Sequence, residues 1–319
     1  MSTKDFSHRK LTLTLTSLAW QKRIGHQREL IWRGWQTRYS FLKAQQPDFQ
    51  SNPPLILIHG FGASIEHWRN NIPVLSQKRT VYSLDLLGFG ASRKARTQYT
   101  VDLWVEQLHD FWQAVVGQPV VLVGNSIGSL VCISAAAKYP EMTKGVVMLS
   151  LPDVSLRQEM LPKAVQPLVT TIENLVASPL LIKSLLKILR QPSIISRWAK
   201  IAYPDTSAVN QELVQILSAP AYDEGADQTF YSLFQGVRKP GFAASAQEIL
   251  PQLQLPILLI WGLQDRMIPP KLAPMFAQLN PQIELIELEG VGHCPHDENP
   301  SQFNQIILNW LEQKFDSAL

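Results

Sequence analysis

Between the apolar run Val120–Val123 and the small-residue stretch Leu130–Ala137 stands Gly124–Asn125–Ser126–Ile127–Gly128. A buried strand that turns at once into a helix, through a pentapeptide with glycine at both ends, admits few architectures. The turn leaves little room around its serine, so side chains at 124 and 128 would strike the adjoining strand and helix. The Ser126 hydroxyl then projects above the edge of a sheet. The Ile127 N–H lies beside it, at a helix start where backbone donors have no partner.

Further segments end in reactive side chains at the same kind of place. Pro53–Gly62 reads PPLILIHGFG, an apolar run closing on His59–Gly60–Phe61–Gly62. Pro256–Gly262 reads PILLIWG and leads into Leu263–Gln264–Asp265, while Ile283–Leu288 (IELIEL) leads into Gly290–Val291–Gly292–His293. Ser126, Asp265 and His293 thus each follow a predicted strand, where the carboxyl ends of a parallel sheet converge. A hydroxyl, an imidazole and a carboxylate brought together are the set that nucleophilic catalysis needs. Taken singly, each has a plainer reading. The pentapeptide is then a tight turn, Asp265 a cap before Ile268–Pro270 and His293 a satisfied loop histidine. Asp153, after the predicted strand Gly145–Leu149, is a competing acid. Their joint occurrence favours the catalytic reading, with Asp265 ahead of Asp153.

At 319 residues the chain is long enough for one large α/β domain, or for one carrying an insertion. Apolar residues at 45% and charged ones at 17% describe a globular protein with an ample core. A net charge of +3, with no Lys/Arg run beyond two, excludes a nucleic-acid-binding face. The two cysteines, Cys132 and Cys294, speak for a reducing compartment. Cys294 adjoins His293, but no ligand cluster surrounds it, and neither metal nor cofactor is expected. Residues 11–16 alternate Leu and Thr where a secretory signal needs an apolar block. The charge-free stretch Phe111–Ala137 is broken by Gly117, Pro119, Gly124 and Asn125, which rules it out as a membrane span. The expectation is a cytoplasmic protein whose membrane contact, if any, is peripheral.

Along the chain, the Leu/Thr alternation reads as a short edge strand, and Leu30–Ala44 as an antiparallel hairpin about Arg33–Gly34. Pro54–Ile58, Thr80–Leu84, Val120–Val123, Gly145–Leu149, Pro256–Ile260 and Ile283–Leu288 read as parallel strands. Helical patterns such as Val101–Val116 and Ser301–Lys314 separate them. This alternation predicts an α/β fold with a doubly wound, mostly parallel sheet. Between Leu151 and Phe242 no strand pattern occurs, and a gap of that length cannot be a loop. The expected organisation is a core in two parts, 1–151 and 243–319, with a helical cap over 152–242 enclosing an apolar pocket above the serine. Within the cap, Pro179–Arg190 (PLLIKSLLKILR) sets Lys183, Lys187 and Arg190 in one stripe beside leucines. Such a helix either packs on the core or lies against lipid.

Over nearly its whole length the sequence resembles the α/β-hydrolase superfamily, whose triad runs in the order Ser, Asp, His. It is similar, more closely, to the pheophytinase and chlorophyll dephytylase branch of oxygenic phototrophs. Trp32–Tyr39 (WRGWQTRY), His59–Trp68 (HGFGASIEHW), Asp85–Ser92 (DLLGFGAS), Gly124–Ser129 (GNSIGS) and Gly292–Pro300 (GHCPHDENP) carry that likeness. The resemblance implies a triad of Ser126, Asp265 and His293, with the Phe61 and Ile127 N–H groups as oxyanion donors. It implies a hydrophobic ester as substrate, the phytyl ester of chlorophyll or pheophytin, met at an internal (thylakoid) membrane. The cap carries no segment diagnostic of the branch. A general esterase or lipase, a carbon–carbon hydrolase, a cofactor-free perhydrolase and a slow-turnover receptor share the same core motifs. Serine at 126 argues against epoxide hydrolase and dehalogenase chemistry, which uses aspartate there.

Overall fold

Strands covered on both faces need apolar side chains at every position, and the apolar runs of this sequence become the centre of one sheet. The computed structural model describes residues 20–45, 52–153, 156, 179–239 and 241–316. Its strands are β1 (His26–Trp32), β2 (Trp35–Leu42), β3 (Leu55–Ile58), β4 (Val81–Leu84), β5 (Val120–Asn125), β6 (Thr143–Leu149), β7 (Ile257–Gly262) and β8 (Ile283–Leu288). They lie in the order β1-β2-β4-β3-β5-β6-β7-β8. β3 to β8 are parallel, while β2 pairs antiparallel with both β1 and β4. The expected hairpin is present, turning at Arg33–Gly34 with Trp32 opposite Trp35. The edge strand expected over residues 11–16 lies outside the described residues.

Alternate residues of each central strand face opposite layers. Ile56, Leu122, Val146 and Leu259 pack with Trp104 and Phe111 of α1 (Val101–Phe111) and with Leu130 and Val131 of α2 (Ile127–Lys138). Leu57, Val123, Val147 and Leu258 pack on the other side with Trp68, Phe303 and Trp310. Thr100 starts α1 by accepting the Leu103 N–H at 3.1 Å, a side-chain cap that satisfies one orphan donor. Buried ion pairs pin the loops above the sheet. Arg38 of β2 contacts Asp85 at 2.7 Å and Glu66 at 2.6 Å, and Asp85 accepts the Ile65 and Ala91 N–H groups at 2.8 Å each.

Between β6 and β7 the described residues hold α3 (Pro179–Leu189), α4 (Pro192–Ala202), α5 (Gln211–Ser218) and α6 (Ala226–Arg238). Their corner at Ala202–Tyr203 is tied into the core. The Tyr203 hydroxyl donates to Asp297 at 2.8 Å and meets His67 Nε2 at 2.8 Å. Arg69 bridges Asp297 at 2.7 Å and Glu212 of α5 at 2.6 Å. After β8 comes α7 (Pro300–Leu311), with Pro300 in its first turn. No helix among the described residues is long and apolar enough to cross a membrane.

Candidate active site

β5 stops at Asn125, and Ser126 takes φ 55° and ψ −121°, a left-handed backbone that costs a non-glycine residue strain. The glycines around it permit the turn. A Cβ on Gly124 would lie 2.3 Å from the Gly128 carbonyl carbon, and one on Gly128 would lie 2.4 Å from the Ile58 oxygen. Both contacts are backbone and cannot yield. The turn is held by Ser126 N–H donating to Leu149 O at 2.8 Å, and by the Ser129 hydroxyl donating to Gly124 O at 2.7 Å. Ile127 opens α2, so its N–H has no partner within the helix.

The loop after β3 lies against this turn. A Cβ on Gly60 would stand 3.5 Å from Ser126 Cβ. His59 is fully buried; its Nε2 accepts the Leu86 N–H at 3.1 Å, so Nδ1 carries the proton and donates to Gly60 O at 2.8 Å. Burial pushes its pKa down, keeping the ring neutral. Gly60 O also accepts the Ala63 N–H at 3.2 Å. In a trans peptide the N–H points opposite to the carbonyl, so fixing Gly60 O turns the Phe61 N–H the other way.

His293 stands on the loop after β8, its side chain 12% exposed. Its Nδ1 lies 2.9 Å from Asp265 Oδ2. The other oxygen, Asp265 Oδ1, accepts the Met267 N–H at 2.7 Å and the Ile268 N–H at 2.9 Å. Burial raises the Asp265 pKa, but His293 and these two donors outweigh it and hold the carboxyl below its usual range. An ionised Asp265 fixes the proton on Nδ1 and leaves the Nε2 lone pair free for a substrate-side proton. Asn125 Nδ2 donates to His293 O at 3.1 Å, joining the serine turn to the histidine loop. Ser126 Oγ and His293 Nε2 share no hydrogen bond here, a bond that tightens in such sites once substrate is bound.

The plainer readings separate on geometry. Asp265 holds His293, while the buried Asp153 accepts from Ser245 Oγ at 2.9 Å and Gln247 N at 3.1 Å, at the start of the short helix Ala246–Ile249. His296 is buried against Trp68, with ring centroids 4.1 Å apart, and bonds His67 Nδ1 at 3.2 Å. Cys294 is buried, and burial pushes its thiol pKa up. No three His, Cys, Asp or Glu side chains among the described residues gather as metal ligands.

The residue missed from sequence is Glu298. Its Oε2 accepts the Gly292 N–H at 2.9 Å and its Oε1 the Cys294 N–H at 2.7 Å, gripping the backbone on both sides of His293. Burial pushes its pKa up to about 7 against those two donors. The signal was present as the carboxylate five positions after His293 in GHCPHDENP. The third N–H of the loop, that of His293, donates at 3.0 Å to Ala202 O, a carbonyl at the end of α4 where the helix itself supplies no donor.

A cavity of about 520 Å³ lies between the core loops and the four helices. Phe61 and Phe89 line it from below, and Leu186, Trp198, Ala199 and Leu233 from above. Phe61, a wall of this cavity, directly follows Gly60, whose backbone lies against Ser126. Of its two cationic neighbours, Lys94 is satisfied by Gly90 O, Ser92 O and Asp223. The guanidinium of Arg190 sits over the Tyr222 ring at 4.5 Å. Arg190, one residue past the end of α3 at Leu189, still donates its N–H to Leu186 O at 2.9 Å and lines the cavity. The Lys183 side chain is outside the described ones.

Residues 53–300 match the profile of the alpha/beta hydrolase fold family. The 2-hydroxy-6-oxo-6-(2'-aminophenyl)hexa-2,4-dienoic acid hydrolase of Metapseudomonas resinovorans is 26% identical over 270 residues, spanning 82% of this chain and 85% of its own. Lipase 1 of Psychrobacter immobilis is 28% identical over 255 residues, spanning 76% and 71%. The solved structure of a serine hydrolase involved in carbazole degradation superposes with a TM-score of 0.73 at 24% identity, covering 90% of this chain and 99% of the other. With most of its length matched and this architecture, the chain belongs to the alpha/beta hydrolase fold family and is a hydrolase of that fold.

Proposed function

We propose that the protein is a serine hydrolase of carboxylic esters with long apolar chains, and that Ser126, His293 and Asp265 act as its triad. The observation that carries this reading is a strained serine turn tied through Asn125 to a histidine whose Nδ1 is held by a buried, ionised aspartate. Ser126 Oγ attacks the ester carbonyl while His293 Nε2 takes its proton, and Asp265 stabilises the imidazolium that forms. The Phe61 and Ile127 N–H groups receive the oxyanion, a contribution that elsewhere amounts to roughly 3–4 kcal/mol per donor. His293 returns the proton to the departing alcohol. Water, activated by the same imidazole, then releases the acid and restores Ser126.

The cavity supports the choice of substrate. Its lining is aromatic and aliphatic, and each enclosed methylene contributes about 0.8 kcal/mol. The finer reading, a phytyl ester of chlorophyll or pheophytin, rests on the core motifs that resemble that branch and on this apolar wall. Carbon–carbon hydrolysis is the second reading, because the Metapseudomonas relative is named a dienoic acid hydrolase. Among the described lining residues an acid substrate would meet Arg190, held over Tyr222, and Lys94, already paired with Asp223, which favours the neutral ester. Fluorophosphonate labelling, followed by turnover of p-nitrophenyl esters of increasing chain length and then of phytyl esters, tests the proposal. Absence of labelling removes the serine mechanism. Labelling with faster turnover of acetate than of long-chain esters removes the long-chain preference and leaves a small-molecule esterase.

A further inference from the structure

Several cations of the body are paired, while others, such as Arg28, Lys43 and Lys144, make no ion pair among the described residues. Arg23, Arg38, Arg69, Arg79, Lys94 and Lys138 each contact a carboxylate. The stretch Pro179–Ala202 behaves differently: it carries Lys183, Lys187, Arg190, Arg197 and Lys200 and no acidic residue. Among the described residues, Lys187, Arg197 and Lys200 are all exposed and make no ion pair. Large apolar side chains stand exposed beside them: Ile188 at 53%, Trp198 at 52% and Ile201 at 41%.

On α4 these residues are not scattered. At 3.6 residues per turn, Lys200, Arg197, Ile201 and Trp198 span an arc of about 160°, opposite the buried Ala199. Single exposed apolar residues need no explanation, whereas an apolar ridge flanked by unpaired cations is the profile of a helix that lies in a bilayer interface. Trp198 also lines the cavity, so this ridge is part of the cavity's rim.

We propose that the exposed face of α4 docks on an anionic lipid surface and presents the cavity to it. The cations meet the headgroups, while Trp198 and Ile201 sit at the acyl boundary. An apolar substrate then passes from lipid into the cavity without crossing water. The inference rests on the hydrophobic-ester reading for its purpose, but its test does not depend on turnover.

The full chain is sedimented with phosphatidylcholine vesicles, with and without phosphatidylglycerol, at low and high salt. Binding is expected to the anionic vesicles alone and to weaken with salt. In Arg197→Glu/Lys200→Glu, partition is expected to fall about 30-fold, since each cation near the surface contributes about 1 kcal/mol and tenfold is 1.4. Ile201→Ser is expected to weaken it as well. None of these positions lines the cavity, so turnover of soluble short-chain esters stays at the wild-type value. Equal binding to neutral vesicles, or equal partition of the charge-reversed and wild-type proteins, overturns the proposal. Failure of the wild type to bind anionic vesicles, with capture of an acidic protein instead, also overturns it. Vesicle binding that survives while serine labelling fails leaves the surface standing and removes the esterase.

Discussion

Replacing Glu298 by Gln tests whether His293 is held from behind. In the wild type both carboxylate oxygens accept, Oε2 from Gly292 N–H at 2.9 Å and Oε1 from Cys294 N–H at 2.7 Å. Glutamine keeps one acceptor and turns an NH₂ group toward the other N–H, so one bond becomes a repulsion. A hydrogen bond to a charged group contributes roughly 1.5–3 kcal/mol. If about 1.4 kcal/mol of that reaches the transition state, kcat falls about tenfold. The variant also imitates the protonated acid. Burial places the Glu298 pKa at about 7, so the wild type carries the full clamp above that pH and loses one acceptor below it. The ratio of wild-type to variant kcat is therefore expected to be near tenfold well above pH 7 and to shrink toward one well below it. Chromatographic quantitation of released acid across the pH range measures it. A ratio that does not change with pH, or a change confined to KM, refutes the clamp.

Ser126→Ala is expected to remove fluorophosphonate labelling and to lower turnover by roughly 10⁴- to 10⁶-fold with an unchanged circular dichroism spectrum. Surviving label, mapped by mass spectrometry, would move the nucleophile. Asp265→Asn is expected to cost about 10⁴-fold in kcat by favouring the wrong imidazole tautomer. Asp153→Asn is expected to leave kcat alone and to cost about 1 kcal/mol in denaturant titration, because it weakens a helix cap; the reverse ranking would exchange the two acids. His296→Gln, deep against Trp68, is expected to cost roughly 0.5–3 kcal/mol of stability with kcat/KM nearly kept. A kinetic loss matching that of His293→Gln would reassign the base.

The parts of the fold legible in the sequence were those where burial leaves no choice of side chain. β3, β5 and β7 are buried on both faces, so LILI, VVLV and ILLI announce themselves. β1 begins earlier than its apolar residues suggest, because His26–Glu29 face solvent on an edge strand and so carry no apolar pattern. The serine turn was legible because steric demands leave glycine the only residue for positions 124 and 128. Asp265 needed the structure to part it from Asp153, since both follow strands and differ only in what each carboxylate meets. Contacts distant in sequence, such as His293 N–H on Ala202 O, leave no local pattern.

That last hydrogen bond restricts how substrate preference can change by descent or by engineering. The helices above the site are not a freely exchangeable module, for His293 sits on a backbone that one of them helps to hold. A Cβ on Gly292 would lie 2.2 Å from the Ala202 oxygen, so loop and corner fit each other at backbone contact. A graft of foreign helices would have to deliver a carbonyl at that point and a hydroxyl where Tyr203 meets His67 and Asp297. Among the described residues, α3 and α6 make no hydrogen bond to the serine turn or the histidine loop, so their cavity walls are freer to drift. Selection for a new substrate can therefore rewrite Leu186, Leu189 and Leu233 while the Ala202–Tyr203 corner stays in place.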